Sequence, residues 1–351
     1  MTLIQITTKK GFVKLLTSRP DVVRYIRKLS YKVKIECDGP PTHLNLDDHL
    51  LSPILPNFLR TISRLNFLKI TNLHESHLDW NKLDSFLKSV FLHLMHLPTI
   101  NHIYLSYIQK FPLSSLIPLV NLHQLDIYDL RLEEDHDGSP EIVVQLEMMP
   151  KIRDLHVLES SLLTTKLLHA KTQDGRLAFN FMGLRRLSIS FNQFEDEQNI
   201  RYILQNAKLL EGLHITLRQS LVGLLSPSLS ARTLKVLDFI VFLFRSESVS
   251  ILAGLCGELE AMAELNMLEV LSFGVYVGAD NTEDLVGSMI QKVENVVIRW
   301  SALRRVRFDV SIVGGYNAKL SEALQSLPDK YLLSKFVAFD YSVLASTISI
   351  V

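Results

Sequence analysis

Cysteine is almost missing from this chain of 351 residues: only Cys37 and Cys256 occur, far apart in sequence. No Asn-x-Ser/Thr acceptor site is present. Both facts favour a reducing compartment, cytoplasmic or nuclear, over secretion. No run of roughly 18 apolar residues exists, so no membrane span and no membrane partner are expected. The first ten residues are too short and too polar for a signal peptide. Gly-x-Gly-x-x-Gly, Gly-Lys-Ser/Thr and Gly-x-Ser-x-Gly are all lacking, which removes the common phosphate cradles and the serine hydrolase elbow. No acid, base and nucleophile converge by motif, so neither an enzyme nor a cofactor is expected.

What the chain has in quantity is one apolar phrase, Leu-x-x-Leu-x-Leu, with Ile, Val or Phe substituting. Copies start at Ile62, Ile100, Leu122, Ile152, Leu184, Leu210, Leu234, Leu268 and Leu303, as in Leu122-His-Gln-Leu125-Asp-Ile127. A weaker copy starts at Ile26, 36 residues before the next. The phrase is the strand half of a leucine-rich repeat. The expected fold is an α/β solenoid of about ten irregular repeats over residues 1–351 as a single domain. It has a curved parallel sheet on the concave side and helices on the convex side. Spacings of 38, 22, 30, 32, 26, 24, 34 and 35 residues predict uneven curvature. Residues 1–34 read as a basic N-terminal capping segment and residues 329–351 as a C-terminal cap, with a lone strand at Leu3–Ile6.

Helical periodicity fills the intervals. Residues 81–97 place Leu83, Phe86, Leu87, Val90, Phe91 and Leu94 on one stripe. Residues 140–149 begin with Ser139 as N-cap and Pro140 at the first helical position. Residues 195–209, 249–265 and 284–298 are the remaining helices, the last capped by Asn281.

A more distinctive stretch contains Leu15, Leu16, Ser18, Pro20, Tyr25, Ile26, Arg27 and Leu29. It resembles the segment that follows the F-box in fungal F-box proteins with leucine-rich repeats. The resemblance implies the substrate-recognition region of an F-box-type ubiquitin-ligase adaptor. It also implies an F-box of about 40–50 residues ahead of this segment. The residues before Phe12 read as a strand instead, so docking of a Skp-type adaptor is expected only if an F-box lies upstream. The alternative is a free-standing leucine-rich-repeat scaffold or inhibitor with no ubiquitin role.

Local constellations read as structure rather than chemistry. His74 and His77 stand at i, i+3, whereas the zinc-protease pattern needs i, i+4. His93 and His96 fall on the polar edge of a helix. The acidic run 133–138 reads as a solvated loop, since a calcium loop would require Glu at position 144. Cys256 lies in an apolar run and reads as a buried thiol. No metal is expected.

Net charge is zero but blocky. Residues 1–34 carry nine Lys or Arg and one Asp; residues 246–291 carry eight acids and no base. The basic start reads as a capping end; nucleic acid is disfavoured because no such module is recognisable.

Strand alternation puts two polar rows on the exposed sheet face. One is Ser30, Asn66, Tyr104, Asp126, His156, Ser188, His214, Asp238, Ser272 and Arg307. Its neighbour is Lys28, Arg64, His102, Gln124, Asp154, Arg186, Gly212, Val236, Val270 and Arg305. With Tyr128 added, the candidate anchors for a protein target are His102, Tyr104, Tyr128, His156, Arg186, His214, Arg305 and Arg307, because Tyr and Arg are enriched in binding hot spots.

Overall fold

In the computed structural model, residues 3–6, 18–33, 54–72, 77–116, 119–132, 143–144, 150–172, 177–192, 194–225, 232–243, 248–262, 267–278, 283–313, 318–326 and 338–345 are described. The fold is α/β and repeats strand by strand, as the recurring phrase requires. The chain divides into two compact units, Met1–Phe181 and Met182–Val351. Among the described residues no helix is long and apolar enough to cross a membrane.

The first unit holds strands β1 (Leu3–Ile6), β2 (Lys28–Val33), β3 (Phe67–Asn72), β4 (Leu78–Asp79), β5 (His102–Phe111), β6 (Gln124–Leu132), β7 (Val143–Val144), β8 (Asp154–Leu158) and β9 (Lys171–Thr172). Its helices are α1 (Ile54–Arg60), α2 (Ser85–Met95) and α3 (Ser161–His169). The sheet runs β1-β2-β3-β5-β6-β8, all parallel, with β4 beside β5 and a separate β7-β9 pair. The second unit runs β10 (Arg186–Phe191), β11 (Gly212–Leu217), β12 (Val236–Leu243), β13 (Val270–Gly278), β14 (Arg305–Val313) and β15 (Ala338–Ala345) in chain order, again parallel. Its helices are α4 (Phe194–Asn206), α5 (Ser248–Met262), α6 (Glu283–Val297) and α7 (Ala318–Ser326).

One face of each sheet is apolar and covered. Leu125, Leu155, Leu187, Leu213, Leu237 and Leu271 are all at most 2% exposed. On the same face Tyr31 of β2 meets Phe91 of α2 edge-on at 5.1 Å, which places α2 over that side. Phe239, Phe273 and Phe308 occupy the same register on three successive strands of the second unit, stacked at 5.8 and 4.6 Å. Parallel strands need a crossover; helices lie in most of the intervals, whereas between β5 and β6 the described connection is a 3-10 turn at Leu113–Ser115.

A backbone device repeats with the phrase. The carbonyl of its second residue accepts two amides from the next copy. Asn101 O binds His123 N and Gln124 N, Glu211 O binds Lys235 N and Val236 N, and Lys235 O binds Glu269 N and Val270 N. Thr99 and Thr233, each just before a copy, add a hydroxyl that donates to Leu65 O and Leu210 O of the copy before.

This device corrects the second copy. Asn66 O accepts from Asn101 N and His102 N, so Asn66 is the second residue and the phrase is Leu65-Asn-Phe-Leu68-Lys-Ile70. Leu68 and Ile70 are fully buried. Asn66 and Arg64 therefore leave the exposed rows, replaced by Lys69 and Phe67, which pair with Tyr104 and His102 in register. An apolar residue stands at both frames, so composition alone could not choose.

Other expectations change at element ends. Leu3–Ile6 is not a lone strand but pairs with Lys28–Tyr31. Residues 338–345 extend the second sheet by pairing with β14. In the span expected to be helical, Val143–Val144 is strand, paired with Lys171–Thr172; two β-branched residues in succession suit a strand better. Ser139, Pro140, Asn281 and the acidic run 133–138 lie outside the described residues. Helix α2 starts at Ser85 rather than at 81, because the Asp84 carboxylate accepts from Phe86 N and Leu87 N at 2.8 and 3.2 Å. Residues 80–82 form a separate 3-10 turn. Helices α4, α5 and α6 match their expected spans within three residues.

Candidate functional site

The face turned away from the helices carries the polar side chains of each sheet. In the first unit, β2, β3, β5, β6 and β8 align Lys28, Phe67, His102, Gln124 and Asp154 in one register row. Ser30, Lys69, Tyr104, Asp126 and His156 form the next. His102, Tyr104, Tyr128 and His156 are half-buried there.

These side chains are knitted across strands. Lys28 Nζ lies 5.8 Å over the Phe67 ring, and Phe67 meets His102 edge-on at 4.5 Å. His102 Nε2 donates to Asp126 Oδ2 at 2.7 Å. Gln124 Nε2 donates to the same carboxylate at 3.2 and 3.3 Å, and His156 Nε2 stands 3.9 Å from its other oxygen. Lys69 Nζ sits 3.9 Å over the Tyr104 ring. Burial lowers the Lys69 pKa, and repulsion from Lys32 adds to it while Asp126 opposes it.

A second feature of this face has no sequence motif. Tyr107, Asp129 and Glu159 have φ of 56, 45 and 54°, in the left-handed region. Ser106 pairs with Tyr128 and Ile108 with Leu130, so Tyr107 and Asp129 share one register step, and Glu159 occupies that step after Leu158. Each left-handed residue breaks the period of two. Ile127 and Leu130 are both buried, with Tyr128 and Asp129 consecutively outward. The extra outward position forms a third row. There Tyr107 packs edge-on against Tyr128 at 5.1 Å, and Asp129 lies 3.0 Å from His77 Nε2 and 3.4 Å from Arg131 Nε. His77 is thus placed beside Asp129, while His74 lies outside the described residues.

The second unit shows plain alternation instead. On β12 the residues Leu237, Phe239, Val241 and Leu243 are buried, with Val236, Asp238, Ile240 and Phe242 outward. Arg186, Arg305 and Arg307 are exposed and His214 is half-buried. His214 Nδ1 donates to Asp238 Oδ2 at 2.7 Å. Arg307 Nε is 2.6 Å from Asp309 Oδ2, and Arg305 Nε is 3.5 Å from Asp340 Oδ2. The stem of Arg186 lies across Gly212, whose missing Cβ would touch it at 3.4 Å. Phe242 stacks on Tyr276 at 5.0 Å, with the Arg218 guanidinium 5.3 Å over Phe242.

All eight sequence-derived anchors are outward, four in each unit. The structure adds that most are paired to an acid within their own unit. Sequence reasoning missed Phe67 and Lys69 through the frame of one phrase, and Tyr107 and Asp129 because nothing local marks a left-handed tyrosine. Phe242 and Tyr276 were legible as alternate residues of their strands. Elsewhere, His93 Nε2 donates to Arg60 O and His96 Nε2 to Ser115 O. Cys256 is 7% exposed, and burial raises its thiol pKa. Among the described residues, no group of three or more His, Cys, Asp or Glu side chains is arranged to hold a metal ion. The chemistry such faces offer is charge-assisted hydrogen bonding and aromatic contact.

No protein-family model matches the chain, and no curated protein matches it.

Proposed function

We propose that this chain is a non-catalytic protein-interaction module. The observation that carries the reading is the outward chain of contacts Lys28, Phe67, His102, Asp126 and His156, side chains from five strands linked across two neighbouring register rows. Pre-arranged side chains lose little rotamer freedom on binding, which favours recognition of a protein surface. Tyr104, Tyr128 and the arginines of the second unit supply the residue types that dominate hot spots.

The resemblance of the segment around Tyr25 to fungal F-box proteins with leucine-rich repeats supports a narrower form: a substrate-recognition region of a ubiquitin-ligase adaptor. Proximity labelling in cells, from the native gene, tests it. Cullin subunits and a Skp-type adaptor among the labelled proteins would support the ligase role. A reproducible protein partner without them would favour a free-standing scaffold or inhibitor. Absence of any saturable protein partner would overturn the module itself.

A further inference from the structure

On the outward face of β2 and β3, Lys28, Ser30 and Lys32 stand opposite Phe67, Lys69 and Thr71. Lys69 is therefore the apex of a triangle with Lys28 and Lys32. With strands about 4.8 Å apart and about 3.3 Å per residue along each, its Cα lies roughly 8 Å from both. Three flexible ammonium groups can thus converge above Ser30.

The other basic side chains of this face stand beside acids. His102 pairs with Asp126 and His77 with Asp129. Arg131 also approaches Asp129. Among the described residues, Lys28, Lys32 and Lys69 make no ion pair. Two are instead turned over aromatic rings, Lys28 over Phe67 and Lys69 over Tyr104. Burial is the larger cost of the Lys69 charge, repulsion from Lys32 adds to it, and attraction to Asp126 offsets part of both.

We propose that Lys28, Lys32 and Lys69 form a receptor for an anionic peptide segment carrying two or more negative charges within a residue or two of each other. The inference rests on the protein-interaction reading and names the chemistry of its partner. A single carboxylate on a surface lysine contributes too little to select anything. A dense anion also removes the repulsion among the three cations, so the site discriminates by charge density. The sheet amides are engaged in the ladder, which leaves the contact to side chains and favours an extended chain over a small enclosed ion. Adjacent Asp or Glu residues and a phosphoserine satisfy the same requirement.

Fluorescence anisotropy on the whole chain tests the site with four labelled probes: a dodecapeptide with an Asp-Glu-Asp core, its Asn-Gln-Asn counterpart, a neutral peptide with one phosphoserine, and a 12-nucleotide oligothymidylate. The acidic peptide, the phosphoserine peptide or both bind, and which of them binds identifies the source of the charge. Affinity falls at least tenfold in Lys28→Gln/Lys32→Gln/Lys69→Gln. It holds within about twofold when the same three become Arg, and in Lys235→Gln of the second unit. The single Lys69→Gln variant, expected to lose part of the affinity, serves if the triple variant fails to fold. Equal binding of the neutral counterpart, unchanged binding by the Gln variants, or tighter binding of oligothymidylate would each overturn the proposal. A protein partner from cells that the Gln variant still retains while the peptides do not bind removes the lysine site alone. Peptide binding without any protein partner removes the module reading alone.

Discussion

Tyr107 and Asp129 face each other at one register step of neighbouring strands, and both hold a positive φ, 56 and 45°. Glu159 repeats the conformation on the next strand at 54°. Left-handed backbone costs an L-residue about 1–2 kcal/mol, more when the side chain is β-branched. Here it recurs where burial needs the strand to skip one residue, so packing overrides local preference.

That conformation orders two variants. Glu159→Gly removes the Cβ penalty and offsets it with chain entropy, leaving stability within about 1 kcal/mol of the parent. Glu159→Val is expected to be about 1–2 kcal/mol less stable than the Gly variant. Urea denaturation measures both, and the reverse order would mean extended backbone at 159.

Core and face respond differently to substitution. Leu187 is 1% exposed, and Leu187→Ala is expected to cost about 2–5 kcal/mol. Arg305→Glu with Arg307→Glu exchanges two exposed pairs, to Asp340 and Asp309, for like-charge contacts. Exposed pairs contribute about 0–1 kcal/mol each, so thermal unfolding shifts by a few degrees at most. If the arginines are anchors, partner capture weakens strongly in that same variant.

Two glycines on one helix have opposite roles. A Cβ on Gly254 would come within 2.6 and 2.9 Å of Leu221 backbone atoms, while one on Gly257 meets nothing within 4 Å. The same helix sends buried Glu258 to accept from Leu224 N and Leu225 N at 3.2 and 2.8 Å. It is therefore pinned against residues 221–225. Gly254→Ala is expected to cost about 1–3 kcal/mol through overpacking. Gly257→Ala gains about 0.5–1 kcal/mol from helix propensity. Paired thermal melts check the contrast.

Stability is expected to fall in alkali. Burial raises the pKa of Cys256 above 9.0 and that of Tyr31 above 10.0. Above those values the unfolded chain gives up protons that the folded chain retains, so stability falls as pH rises. Lys69 has the opposite sign, because its lowered pKa means the folded chain releases its proton first. Urea midpoints between pH 7 and 11 should decline, with Cys256→Ala flattening the fall from about pH 9 and Tyr31→Phe the fall beyond about pH 10.

Much of the architecture is written in the recurring phrase itself. Its three apolar positions name the buried residues, since a parallel strand with one covered face must bury every second side chain. The same alternation places His102, Tyr104, Tyr128, His156, Arg186, His214, Arg305 and Arg307 outward. Both are local consequences of backbone geometry and apolar burial, which a sequence shows directly. The frame of the second copy was decided by which Asn66 neighbour completed the carbonyl ladder to Asn101 and His102. The left-handed step at Tyr107, Asp129 and Glu159 and the acids facing His102 and His214 likewise became visible only in three dimensions. Each depends on residues 22 or more positions away, brought side by side by the stacking of repeats. Pairwise contact energies of that kind leave no periodic trace along the chain, so only the tertiary structure decided them.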